Sequence, residues 1–140
     1  MNQPHSLTTA ASVLSWSLQL IVAGILLQTL FFKFTGAEES IYIFTTLGIE
    51  PWGRIGSGLT ELAASALLLY PPTAAMGAAI AIGTMAVAVL SHLTVLGVEV
   101  MGDGGLLFSL AIVVLVSSAV VLVLRRAELP IVGRYFEVAL

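Results

Sequence analysis

Four long stretches of this chain, residues 14–34, 53–70, 73–96 and 104–124, are apolar almost throughout. Each approaches the roughly 20 residues that a helix needs to cross about 30 Å of hydrocarbon. A helix that is apolar on all sides has no face to offer water, so these runs constrain the fold more than any single motif does. Composition agrees. The 140 residues are 59% hydrophobic and 9% charged, where a soluble domain carries about a quarter charged residues. The expected fold is an all-α integral membrane four-helix bundle, one transmembrane domain over residues 1–140, with lipid as its solvent.

The first span follows a segment, Met1 to Ser12, without Lys or Arg. A Lys-Phe-Thr-Gly turn comes after it instead of a small-residue cleavage site, so it reads as retained and not as a secretory signal. The second span is the shortest and most polar, but its Gly-Ser-Gly and Ala-Ala-Ser runs suit close helix contact in lipid. Pro71 and Pro72 stop it sharply and make spans two and three an antiparallel hairpin. A short connection around Gly97, Glu99 and Asp103 does the same for spans three and four, with Asp103 as the expected N-cap of the last helix. Gly24, Gly56, Gly77 and Gly83 read as sites where helices approach closely.

The long connection from Thr35 to Trp52 begins with the spacing of a capping box at Thr35 and Glu38. It runs through Ile41, Phe44 and Leu47 to Gly48, a natural stop. That pattern predicts a short amphipathic helix at the membrane surface between helices one and two, with Tyr42 and Trp52 in the aromatic belt. Arg125, Arg126 and Arg134 follow the last span and place both termini in the cytoplasm of a multi-pass cell-membrane protein, against the opposing Lys33 and Arg54.

With that orientation the outer half of the bundle holds the unusual residues. Glu61 lies seven positions after Arg54, about 10 Å deeper on nearly the same face. A carboxyl at that depth costs at least ~2.5 kcal/mol unless it is neutralised or faces a polar interior. Its available partners are Lys33, Arg54 and His92. Two readings stand together: a binding or proton-active site, with Glu61 and His92 catalytic and Lys33, Arg54, Glu61 and His92 holding a ligand, or a polar clasp between helices. Lys33 alone would snorkel to the interface, and His92 alone would bond a neighbouring helix. Gln19 and Gln28 point to nearly opposite sides of helix one and define no site.

The chain lacks cysteine, which excludes disulfides, thiolate-held iron–sulfur clusters and CxxC haem attachment within it. His5, on the opposite side, leaves His92 without a second histidine for a haem or metal centre. A net charge of −3 with five scattered basic residues gives no footprint for nucleic acid.

The order Lys33-Phe34-Thr35-Gly36, Leu47-Gly48-Ile49-Glu50-Pro51, Glu61-Leu62 inside span two and His92 near the end of span three resembles the DoxX-like family over nearly the whole chain. The resemblance implies a four-helix membrane bundle and marks Lys33, Gly36, Glu61 and His92 as family-pattern positions. Some members are a subunit of a thiosulfate:quinone oxidoreductase and others accompany membrane redox complexes. No cofactor is supplied by the chain itself, so electron transfer would need a bound quinone, a second subunit, or both. The preferred expectation is a small subunit or accessory protein of a membrane redox system with an outer-side pocket for a quinone or similar lipid-like ligand. The alternative is a non-catalytic structural or assembly subunit docking a larger membrane complex; the expected partners are the lipid bilayer and either other membrane protein subunits or further copies of the chain in a homo-oligomer. A transporter is disfavoured by the absence of an inverted repeat or broken helix pair.

Overall fold

Thr8 starts the first helix: its hydroxyl accepts the Ala11 amide at 3.2 Å, satisfying one of the orphan donors of the first turn. From there the computed structural model, which describes residues 6–130, is helical with short connections. Helix α1 spans Thr9–Phe34. It ends on Gly36, whose φ of 66° allows the Ala37 and Gly36 amides to bond back to Phe32 O at 3.0 Å and Lys33 O at 3.4 Å, a Schellman arrangement. Helix α2, Glu38–Thr46, stops in the same way at Gly48, with Ile49 N on Phe44 O at 2.9 Å.

The expected capping box does not form. Thr35 still has helical φ and ψ as the C-cap of α1, and its hydroxyl donates back to Phe31 O at 2.6 Å. Ala37 is the N-cap of α2, without a side-chain bond. Glu38 and Glu39 support that first turn by charge alone.

Helix α3 spans Trp52–Leu69 and α4 spans Ala74–Ser91. Between them Tyr70 is extended, as its position before a proline requires, and a 3-10 turn covers Pro71–Thr73. A π-helical turn, His92–Leu96, continues α4 and closes at Gly97, φ 81°. Helix α5 spans Leu106–Leu124. Asp103 serves its start from further out than expected. The N-cap is Gly105, and the Asp103 carboxylate accepts the amides of Gly105 (2.8 Å), Leu107 (2.9 Å) and Val100 (2.9 Å). Desolvation would raise the Asp103 pKa, but these amides, with His92 nearby, hold it below the ordinary value.

Helix α1 packs on α3 and α5, and α4 packs on the same two. Val22, Leu26, Leu68, Ala78, Val114 and Val121 fill the space they share. At Gly77 the α3 and α4 backbones meet, and an added Cβ would lie 2.7 Å from Leu68 N and 2.9 Å from Ala64 O. Of the four glycines expected at crossings only Gly77 is at one. Gly24, Gly56 and Gly83 are exposed and would meet nothing within 4 Å, because small residues on these helices also fall on outward faces. Gly58, under the Phe34 ring, is a close contact instead.

Thr9–Phe34, Pro71–Leu96 and Leu106–Leu124 are long and apolar enough to cross a membrane. The more polar α3 is not among them. The polarity of the molecule is inverted relative to a soluble protein: Leu20, Phe31, Leu90, Val116 and Val123 face outward, while Gln19, Glu61, Ser65, His92 and Arg125 are buried. Hydrocarbon accepts such an exterior, and water does not.

Candidate functional site

The antiparallel helices bring the C-terminal ends of α1 and α4 and the N-terminal ends of α3 and α5 to one end of the molecule. Under α2, at this end, lies a cavity of about 510 Å³, within the range of pockets for small molecules. Ile25, Leu26, Ile43, Phe44, Met85, Leu107 and Leu110 give it apolar walls. Its polar groups are Thr29, Lys33, Ser40, Ser57, Thr60, Glu61, Thr84, Ser91 and His92, with Glu39 at the α2 side.

Glu61, 2% exposed, is paired. Lys33 Nζ lies 2.5 Å from its Oε1, and Thr29 Oγ1 lies 3.0 Å from its Oε2. Thr29 stands one helical turn before Lys33, so the two reach the same carboxylate from one face of α1. The Thr29 hydroxyl also sits 2.8 Å from Leu26 O. With one proton and two acceptors, it can donate to an ionised Glu61, or turn to Leu26 and accept from a protonated one. Lys33 Nζ is 5.9 Å from the centre of the Phe44 ring, a cation–π distance.

His92, 6% exposed, comes from the π-helical turn. Its Nδ1 is 2.8 Å from Gly97 O, and its ring packs edge-on against Phe108 at 5.6 Å. Since a carbonyl only accepts, Nδ1 carries the proton, which leaves Nε2 as an acceptor in the neutral ring. Nε2 has no hydrogen-bond partner among the described residues. The turn is wider than an α-helix, a local irregularity often found at functional sites.

Arg54, grouped with these residues by depth, is turned elsewhere and does not line the cavity. Its Nε and Nη2 hold Glu50 at 2.8 Å each, and its Nη1 donates to Lys33 O. It closes the C-terminal end of α1, where unpaired carbonyls attract a cation. Lys33, Glu61 and His92 therefore share the cavity, and Lys33 and Glu61 touch. Thr29 carries a signal in its i,i+4 spacing to Lys33, which the sequence reading did not use.

A second polar cluster occupies the opposite end. Gln19 Nε2 donates to Leu68 O at 2.5 Å, and Ser15 Oγ donates to Gln19 Oε1 at 2.7 Å. Arg125, 6% exposed, donates from Nε to Ser15 Oγ (2.7 Å) and Gln19 Oε1 (3.0 Å), and from Nη1 to Glu128 (2.8 Å). Gln19, from which no site was expected, has a structural part here: the network ties α1 to α3 and to the end of α5. Ser15 and Gln19, four apart on one face, were its signal. Arg125 is an internal anchor and not a free flanking charge. Arg134 and His5 lie outside the described residues.

Comparison of the chain with protein-family models, characterised proteins and solved structures finds no match.

Proposed function

We propose that the chain is a DoxX-like four-helix transmembrane bundle, with α2 as a short helix at the membrane surface, that serves as a small subunit or accessory protein of a membrane redox system. The cavity under α2 takes the headgroup of a quinone or similar lipid-like ligand. The observation that carries this reading is the cavity itself: apolar walls around a space of about 510 Å³, roomy enough for a ring headgroup, with Lys33, Glu61 and His92 in its lining. In an outward-apolar protein these groups are costly unless something uses or pairs them.

A quinone gains two electrons and two protons to become a quinol, and the electrons come from a partner subunit. The residues of this chain bind and handle protons. Lys33 stabilises negative charge on a ring oxygen. His92 Nε2 accepts a proton from a ring hydroxyl or, once protonated, returns it. Glu61 exchanges protons through Thr29 or with Lys33. Arg54 supports the site by holding the end of α1 against α3.

Both termini face the cytoplasm in this proposal, with the cavity on the outer side. The positive-inside rule counts Lys and Arg, and Arg125, Arg126 and Arg134 after α5 outnumber Lys33 and Arg54 at the cavity end.

The non-catalytic assembly reading also has an observation in its favour: both oxygens of Glu61 are already satisfied by Lys33 and Thr29, as a clasp requires. The two separate on purification in mild detergent. Quinone extracted in proportion to protein, and lost when Ala88 in the cavity wall is replaced by Phe, supports the redox reading. Stoichiometric protein partners with no quinone would overturn it in favour of assembly.

A further inference from the structure

One wall of the cavity is the seam between α3 and α4. On α4, Gly77, Thr84 and Ser91 are spaced by seven, so they form one stripe. On α3, Ser57, Thr60, Ala64 and Leu67 form the facing stripe. At Gly77 the stripes touch backbone to backbone, against Ala64 and Leu67. Nearer the His92 end, Ser57, Thr60, Thr84 and Ser91 line the cavity instead of packing on each other. Thr60 and Val87, the latter 65% exposed, are the exposed lining residues on this seam, as Phe32 and Ile49 are on other sides. The seam is thus a slot between two helices, facing the surroundings of the apolar exterior.

Each hydroxyl in the slot has spent its proton on its own helix. Ser57 donates to Arg54 O (3.1 Å), Thr60 to Gly56 O (2.9 Å), Thr84 to Ile80 O (3.0 Å) and Ser91 to Val87 O (2.8 Å). What they present is lone pairs. At the inner end stands His92, more than nine-tenths buried, lining the cavity with its proton held on Nδ1 by Gly97. Its unpartnered Nε2 is another acceptor. Lys33 is the charged donor, and it is engaged with Glu61; the uncommitted hydroxyl of the cavity, Ser40, lies on α2, away from the slot.

We infer that the slot between α3 and α4 admits the ligand sideways from the bilayer and selects a headgroup that donates hydrogen bonds, so that the preferred form is the dihydroxy hydroquinone and not the quinone. A quinone ring offers only acceptor oxygens, which would meet the slot's lone pairs acceptor to acceptor. A hydroquinone offers two O–H groups, one of which suits His92 Nε2. This inference rests on the quinone-site reading above and adds the redox form and the route.

The test is equilibrium binding to the full chain in nanodiscs of three short-tailed probes: decylhydroquinone kept reduced under argon, decylquinone, and the hydroquinone's di-O-methyl ether. The hydroquinone is expected to bind about tenfold more tightly than either of the others, as one net hydrogen bond implies. His92→Phe keeps a ring against Phe108 but removes the acceptor, and is expected to abolish that preference. Val87→Trp at the exposed mouth is expected to slow association of the hydroquinone with no loss of folding. Equal or tighter binding of the quinone would overturn this inference and leave the site reading intact. Binding of none of the three would overturn both. An unaltered preference in His92→Phe, or unaltered association in Val87→Trp, would refute the acceptor role or the lateral route respectively.

Discussion

The crossing of α3 and α4 turns on one missing methyl group. At Gly77 an added Cβ would stand 2.7 Å from Leu68 N, 2.9 Å from Ala64 O and 3.0 Å from Leu67 C, where ordinary contact begins at 3.4 Å. All three are backbone atoms, so no side chain can rotate away, and the helices must part. Gly77→Ala is expected to cost ~1–3 kcal/mol through overpacking, offset in part by the ~0.5–1 kcal/mol that Ala gains over Gly in a helix. The net destabilisation is then between about 0 and 2.5 kcal/mol, centred near 1. Gly83→Ala, six residues along α4 and with nothing within 4 Å of the added Cβ, keeps the helical gain without the clash and is the internal control. Reversible unfolding in mixed micelles should rank Gly83→Ala at or above the parent and Gly77→Ala below it. Equal stability of the two variants would refute the backbone-to-backbone crossing and, with it, the pivot from which the slot opens.

Glu61→Gln leaves Lys33 without its counter-charge and is expected to lose on the order of 3 kcal/mol, most of which returns in the Lys33→Gln/Glu61→Gln double variant; the same micelle unfolding measures the cycle, and additive losses would show that the pair is not coupled. Gln19→Leu removes the acceptor of Arg125 and the donor to Leu68 O, and should destabilise by about 2–3 kcal/mol, since bonds to charged groups are the strong ones; a neutral result would remove the case for the second cluster. Asp103 has a folded pKa below its ordinary 3.8, so its ionised form contributes stability in full above that value. The contribution is lost as pH falls from 3.8 through the folded value. Asp103→Asn should flatten the acid limb of the stability profile, and an unchanged limb would contradict the capping account.

Lys33 and Glu61 were legible in the sequence because hydrocarbon allows a buried carboxylate few partners, and matching depth narrowed them to Lys33, Arg54 and His92. Depth does not fix direction, however. Arg54 sits at the right level but is drawn to Glu50, one turn back, and to the open carbonyls ending α1, so it leaves the cavity. His92 shares the cavity through a π-helical turn that no periodicity announces. The capping-box spacing failed at Thr35 because the preceding helix had already claimed that residue. The glycines misled because a small side chain marks where helices can touch, not where they do. The Ser15–Gln19–Arg125 network was hidden by comparing Gln19 with Gln28 instead of with its neighbour one turn earlier. The helices themselves were plain: apolar length set their positions, and Gly36, Gly48 and the Pro71–Pro72 step set three of their ends.

Photoreactive labelling tests the central claim most directly. A short-tailed azidoquinone, irradiated with the purified chain in nanodiscs and mapped by peptide mass spectrometry, should modify residues around the cavity on α2, α3 and α4, and excess unlabelled hydroquinone should suppress that labelling. Labelling confined to the outward groove of α5 between Leu115 and Leu124, or labelling that no competitor displaces, would show that the cavity under α2 is not a quinone site.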